Sequence, residues 1–244
     1  MDPSTLFTDE YVRKNDGLGQ FRDPIMDPVK KLESLRVRIK VELASMTKLD
    51  RKIQTIESFN SFKKDYLDTH PEASTIVMYP PTKRQFQPVQ FVDPHYVSFQ
   101  LKELGKNVWF LSHNQDGSRN WCQPLEWKMT GKVDDKPYPM VSKFSEVSSE
   151  GPEKIDVCVC PTFLYDRNNK TRIGGGGGNW KKLVEERNRG EQKGVEQKSS
   201  KPDAICLFFN VQVTAYNDNF RNQLMVMDHA YEGQEIYIPP TRCF

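Results

Sequence analysis

Five consecutive glycines, Gly174 to Gly178, stand at the head of a charged stretch, RIGGGGGNWKKLVEERNRGEQKGVEQKSSKP, that runs to Pro202. A glycine-rich loop that opens a helix is one way for a chain to cradle phosphate, because backbone N–H groups and the helix dipole then point at the anion. The phosphate-loop pattern G-x-x-x-x-G-K-[ST] needs a lysine and a hydroxyl directly after the last glycine, and here Gly178 is followed by Asn179 and Trp180. The dinucleotide pattern fails as well, since position 179 is not glycine. What remains is charge: nine Lys or Arg against four Glu between Lys170 and Lys201. Lys181, Lys182, Arg187 and Arg189 are the candidate contacts for a phosphate or for a neighbouring subunit. A solvated loop over 170–202 between two strands is the simpler expectation.

Other reactive side chains give weaker patterns. Cys158 and Cys160 alternate on one apolar run and point to one face, an arrangement that some metal and redox sites use, but no second Cys/His pair stands at ligand spacing. Asp228-His229 with Cys122 or a serine can be drawn as a triad, yet no nucleophile elbow supports it, and no catalytic or metal residue is assigned. His70, His95 and His113 lie in unrelated segments. Aromatic and basic residues interleave in YPPTKRQFQP (Tyr79, Lys83, Arg84, Phe86) and in SRNWCQPLEW (Arg119, Trp121, Trp127), a composition that could stack bases and that packing also explains.

The elements that must position these groups read as mostly β. A net charge of +2 over 244 residues gives no global drive toward nucleic acid. The opening MDPSTLFTDE has no apolar signal core and no apolar run approaches the roughly 18 residues of a membrane span, so a cytosolic protein with no membrane partner is expected. Five scattered cysteines fit a reducing compartment. Leu6, Phe7 and Tyr11 suggest a short N-terminal helix followed by a Gly/Pro-rich arm to residue 27. In LRVRIKVEL the alternation of Leu35, Val37, Ile39, Val41 and Leu43 favours a strand, although a helix also fits. Ile53, Ile56, Phe59, Phe62 and Tyr66 give the best helix, around 50–69. Nine further segments read as strands: STIVMYPP, QPVQFV, HYVSFQL, NVWFLS, PLEWKMTGKV, IDVCVCPTFLY, AICLFFNVQVTAY, NQLMVMDHAY and EIYIPP. The fold class that follows is mainly β (α+β): an antiparallel β-sandwich over 28–244, one domain, with a projecting N-terminal helix.

Taken in order, TLFTDEYVRKN, LRVRIKVEL, ESFNSFKKDYL, IVMYPP, WKMTGKVDDKPYP, KIDVCVCPTF and the final AICLFFNVQVTAYNDNFRNQLMVMDHAY resemble the succession of elements in cypovirus polyhedrins. That resemblance implies a non-enzymatic structural protein whose trimers build a cubic lattice around virus particles in the host cytoplasm, as occlusion bodies. It also implies bound nucleotides such as ATP or GTP, none of them required. Leu6, Phe7 and Tyr11 would then dock the lattice, and Tyr11, Tyr79, Tyr138 and Tyr231 would ionise in alkali and dissolve it. A nucleic-acid-binding or capsid-like sandwich using the basic 170–202 segment is the alternative.

Overall fold

The computed structural model describes residues 37, 46–81, 92–114, 116–133, 136–166, 170–173, 178–190, 202–208 and 225–232. Six strands form the main sheet: β1 (Thr75–Met78), β2 (Asn107–His113), β3 (Arg119–Cys122), β6 (Val157–Pro161), β9 (Asp203–Phe208) and β11 (His229–Glu232). Their spatial order is β11-β9-β6-β1-β2-β3. Every pairing is parallel except β2 with β3. Ile76 lies between Val108 and Val157, and Val159 lies beside Ile205.

The parallel arrangement follows from what these strands carry. Thr75-Ile-Val-Met, Val157-Cys-Val-Cys and Ala204-Ile-Cys-Leu-Phe are buried at every position, so both faces must be covered. On one face Ile76, Met78, Phe110, Val157, Val159, Ile205 and Leu207 pack with Phe59, Phe62 and Leu101 from two helices. These helices are α1 (Lys48–Phe62), which lies on β9 and β11, and α2 (Pro94–Glu103), which lies on β2. On the other face Val77, Leu111, Cys158, Cys160, Ala204 and Cys206 pack with Trp180, Leu183 and Val184 of α3 (Asn179–Gly190). The result is a three-layer α/β/α body.

Local chemistry fixes the ends of these elements. Thr47 and Asp50 form a reciprocal capping box at the start of α1. Asp93 caps α2 by accepting from the His95 N–H, and Pro94 supplies the preset φ at the first turn. A π-helical turn, Lys63–Leu67, extends α1 and brings Tyr66 to the first residue of β9, where its hydroxyl donates to Asp203. At the amino edge of the sheet the Asp156 carboxylate accepts from the N–H groups of Ser74 and Thr75, and the Asp228 carboxylate accepts from Ala204 N–H.

Two smaller sheets complete the fold. The hairpin of β4 (Pro124–Val133) and β5 (Lys136–Phe144) covers α2. There Trp127 meets Phe99 edge-on, Tyr138 stacks on Tyr96 at 5.4 Å, and His95 Nδ1 accepts from Val141 N–H at 3.0 Å. An antiparallel sheet of β7 (Leu164–Asp166), β8 (Thr171–Ile173) and β10 (Met225–Val226) leads into α3.

Several expectations change here. The mixed α/β content stands, as does the helix around 50–69, but the antiparallel sandwich gives way to a mostly parallel sheet between helical layers. HYVSFQL is not a strand: it lies in α2, where Val97 and Leu101 face the core at helical spacing and Asp93-Pro94 start the turn. Residues 179–190 of the expected polar loop form α3, because Trp180, Leu183 and Val184 make one narrow apolar stripe among the charges. Of LRVRIKVEL only Val37 is described, and its backbone is helical and its side chain exposed. The N-terminal helix and arm, most of QPVQFV and all of EIYIPP lie outside the described residues.

Phe62 is fully buried and its ring meets Phe59, Tyr66 and Tyr231. Phe62→Ala is expected to lower unfolding free energy by about 3–5 kcal/mol in denaturant titration, without changing the strand content seen by circular dichroism. Burial lowers the pKa of His95, with Asp93 opposing, and the bond from Val141 requires an unprotonated Nδ1. The share of stability held by neutral His95 is therefore complete above the ordinary value near 6.5 and declines as pH falls below it. Thermal unfolding between pH 7.5 and 5 should show a drop in Tm that His95→Asn, which keeps an acceptor and cannot titrate, makes shallower.

Candidate functional site

The carboxyl ends of the parallel strands gather at one edge of the sheet, and β1 is the strand from which the order runs outward in both directions, to β2 and to β6. In open sheets of this kind ligands bind outside the carboxyl ends, near that reversal. An open cleft of about 420 Å³ lies one strand away from that reversal, at the carboxyl end of β2, lined by His113, by Asp116, Gly117, Ser118 and Arg119 of the β2–β3 turn, and by Asn179, Lys182 and Glu186 of α3.

The turn wall is rigid. Gly117 takes φ +84, a left-handed conformation open to glycine, and Asp116 accepts from both the N–H and the hydroxyl of Ser118 at 2.8 and 2.7 Å. Those bonds hold the Asp116 carboxyl below its ordinary pKa and keep it ionised. Asn114 and Asn120 brace the turn from behind, with the Asn120 amide donating to Asn114 Oδ1 at 2.7 Å. Arg119 Nη2 reaches across to Glu186 Oε2 at 2.7 Å and ties the turn to α3.

The helix wall begins at Gly178, whose φ of +63 turns the chain into α3 and whose carbonyl accepts from Lys182 N–H. The last glycine of the run is thus the residue that opens the helix, and Lys182 stands one turn inside it, in the cleft. Lys181 points elsewhere and lies 4.0 Å from Glu185. His113 Nε2 is closed off from solvent and has no hydrogen-bond partner. Burial, reinforced by Arg119, lowers the His113 pKa and favours the neutral ring.

On β8, outside the cleft lining and against the carboxyl end of β6, Arg172 is buried at 8 % exposure. Its Nη1 donates to Pro161 O, and its Nε has no hydrogen-bond partner. The neighbouring thiols are packing groups: burial pushes Cys160 up to about 11, against the pull of Arg172, and raises Cys206 further.

The sequence candidates are dispersed over this framework. Lys182 enters the cleft and Lys181 does not, while Arg187 and Arg189 lie further along α3. Leu6, Phe7 and Tyr11 lie outside the described residues. Tyr79 donates its hydroxyl to Val92 O, Tyr138 donates to Asp93, and Tyr231 packs on Phe62; burial raises the pKa of all three, Tyr231 to about 12. Cys158 and Cys160 are core residues of β6. Cys122 on β3 and His229 on β11 stand at opposite edges of the sheet, so the drawn triad does not assemble. Of Arg119, Trp121 and Trp127, only Arg119 reaches the cleft; Trp121 is buried, its ring against Gly151. The signal for the turn wall was present in Asp116-Gly117, a hairpin dipeptide between two apolar runs.

No family model matches the chain, and no curated protein matches it. Among solved structures it is similar to a 5,10-methenyltetrahydrofolate synthetase from Mycoplasma pneumoniae, with a TM-score of 0.49 and 14% identity over 83% of this chain and 99% of that one. It is also similar to the 5,10-methenyltetrahydrofolate synthetase of Aquifex aeolicus, with a TM-score of 0.45 and 13% identity over 86% of this chain and 98% of that one. Likeness at this level assigns the chain no activity. The resemblance to polyhedrins is corrected by the topology, a mostly parallel sheet between helices in place of an antiparallel sandwich. With it go the non-enzymatic structural role, the trimers and lattice, the virus-particle partners, the occlusion-body location and the alternative of a nucleic-acid-binding sandwich.

Proposed function

We propose that the protein is an enzyme that binds a phosphate-bearing small molecule, a nucleoside triphosphate in the fullest case, in the cleft between the β2–β3 turn and α3. The observation that carries this reading is the start of α3: the helix opens at Gly178 and sets Asn179 and Lys182, one turn apart, along a cleft at the carboxyl end of β2. The first N–H groups of an α-helix have no intrahelical acceptor, and the helix dipole adds partial positive charge there. Lys182 supplies a full charge one turn in, Asn179 an amide donor, and Arg119 a planar guanidinium suited to phosphate oxygens. A volume of about 420 Å³ lies within the range of roughly 300–1,000 Å³ usual for small-molecule sites.

In this reading phosphate oxygens compete with Glu186 for Arg119, so occupation of the cleft loosens the tie between turn and helix. Binding of ATP, measured by calorimetry, is expected to weaken about tenfold or more in Lys182→Gln and to change little in Lys181→Gln, since a hydrogen bond to a charged group contributes about 1.5–3 kcal/mol. Equal affinities in the two variants would overturn the assignment of the cleft. Release of phosphate or diphosphate from bound nucleotide, with candidate acceptors supplied, separates an enzyme from a binding module.

A further inference from the structure

The hairpin of β4 and β5 has two outer edges, and they differ in what they offer. The β5 edge is closed: Pro137 and Pro139 have no N–H, and the Val141 N–H is engaged by His95 Nδ1. The β4 edge is open. Val141 stands opposite Trp127, and because its N–H points away from β4, the two form a non-hydrogen-bonded pair. The N–H and C=O of Trp127 must then point away from β5, to the outer edge, and Met129, opposite Pro139, is in the same phase. The register shifts between Pro124 and Trp127 cancel, so both residues keep one offset to β5. No residue from Leu125 to Thr130 has a backbone partner beyond β5 among the described residues. Large apolar side chains flank these outward groups, with Leu125 49% and Met129 51% exposed.

We propose that this edge is a self-association surface, on which a second copy of the chain adds its own β4 antiparallel about a two-fold axis at Trp127. The stretch Leu125-Glu126-Trp127-Lys128-Met129 is self-complementary about that residue. Glu126 of one copy falls opposite Lys128 of the other, Leu125 falls opposite Met129, and the symmetry forms each pair twice. On the axis Trp127 exchanges both backbone hydrogen bonds with its counterpart, which is what its outward phase allows. The register shift between Met129 and Lys132 breaks the phase beyond Met129 and keeps the pairing on the Leu125–Met129 side. The helices leave room for it. α2 packs mainly beneath β5, and three strand spacings of about 4.8 Å part the two β5 strands of a joined sheet, more than the roughly 10–12 Å width of a helix. The surface shares no residue with the cleft, so the inference stands apart from the reading of that site.

A charge swap tests both the surface and its register. Sedimentation equilibrium of the full chain, from micromolar to millimolar concentration, is expected to show a monomer–dimer equilibrium. Glu126→Lys and Lys128→Glu each set like charges face to face at both symmetric pairs, and each should weaken the dimer about tenfold or more. The double variant Glu126→Lys with Lys128→Glu restores opposite charges across the axis and should recover most of the wild-type affinity. Both side chains are exposed, so the fold is kept, and circular dichroism checks it. The ion pair of Glu126 with Lys143 is lost in the single Glu126 variant and in the double variant alike, so recovery reads the contact between copies. A wild-type chain that stays monomeric throughout overturns the inference. So does a dimer that neither single reversal weakens, or one that the double variant fails to restore.

Discussion

The backbone polar groups of β1 have nowhere to go but into neighbouring strands. All four of its residues are buried, helices cover both its faces, and water is excluded, so each N–H and C=O must be matched within the sheet. β2 and β6 do this in parallel register on either side. Where the ladder runs out at the amino edge, carboxylates replace it. Asp156 accepts from Ser74 and Thr75 and is paired with Lys154 Nζ at 2.6 Å, and Asp228 accepts from Ala204. Burial opposes the charge of Asp156, but the bonds from Lys154, Thr75 and Ser74 outweigh it and hold its pKa below the usual value. Aspartates thus seal one end of the sheet, and the cleft opens at the other, at the end of β2.

This division of labour explains where the cleft lies. Side chains at the amino edge are engaged with the backbone, with Tyr66 and with Lys154. At the carboxyl edge His113 and Arg172 each keep a shielded nitrogen without a partner. His113 ends β2, on one side of β1, and Arg172, on β8, reaches the last residue of β6, on the other side. The α3 helix completes the arrangement. Its apolar stripe of Trp180, Leu183 and Val184 fixes it on the sheet, and that fixes the direction in which its first turn points.

Much of this was legible in the amino-acid sequence, and the misreadings have identifiable causes. The runs Thr75–Met78, Val157–Cys160 and Ala204–Phe208 are strands by composition, and α1 is a helix by period. The error was to read continuous apolar runs as half-covered strands of a sandwich, when such runs signal coverage on both faces and parallel pairing. That inference needs helices to do the covering, and two of the three were hidden. α2 is rich in aromatic and β-branched residues, so propensity spoke against the Asp93-Pro94 start. α3 has only three apolar side chains facing the core among twelve residues, so its charge masked its period. The glycine run fits neither phosphate pattern, and its place in the fold, with Gly178 at the start of α3, depends on the helix that its charge concealed. His113 could not have been singled out from sequence, since its shielded nitrogen is a property of the turn and helix brought together around it.

The hydrogen bond from Arg172 to Pro161 O joins two sheets that are otherwise separate ladders. Arg172 belongs to β8, its carbonyl partner to the last residue of β6, and β8 is the strand from which the chain proceeds through the glycines to α3. The guanidinium therefore rivets β8 to the last residue of β6, and a load on the small sheet passes through one side chain to the centre of the main sheet.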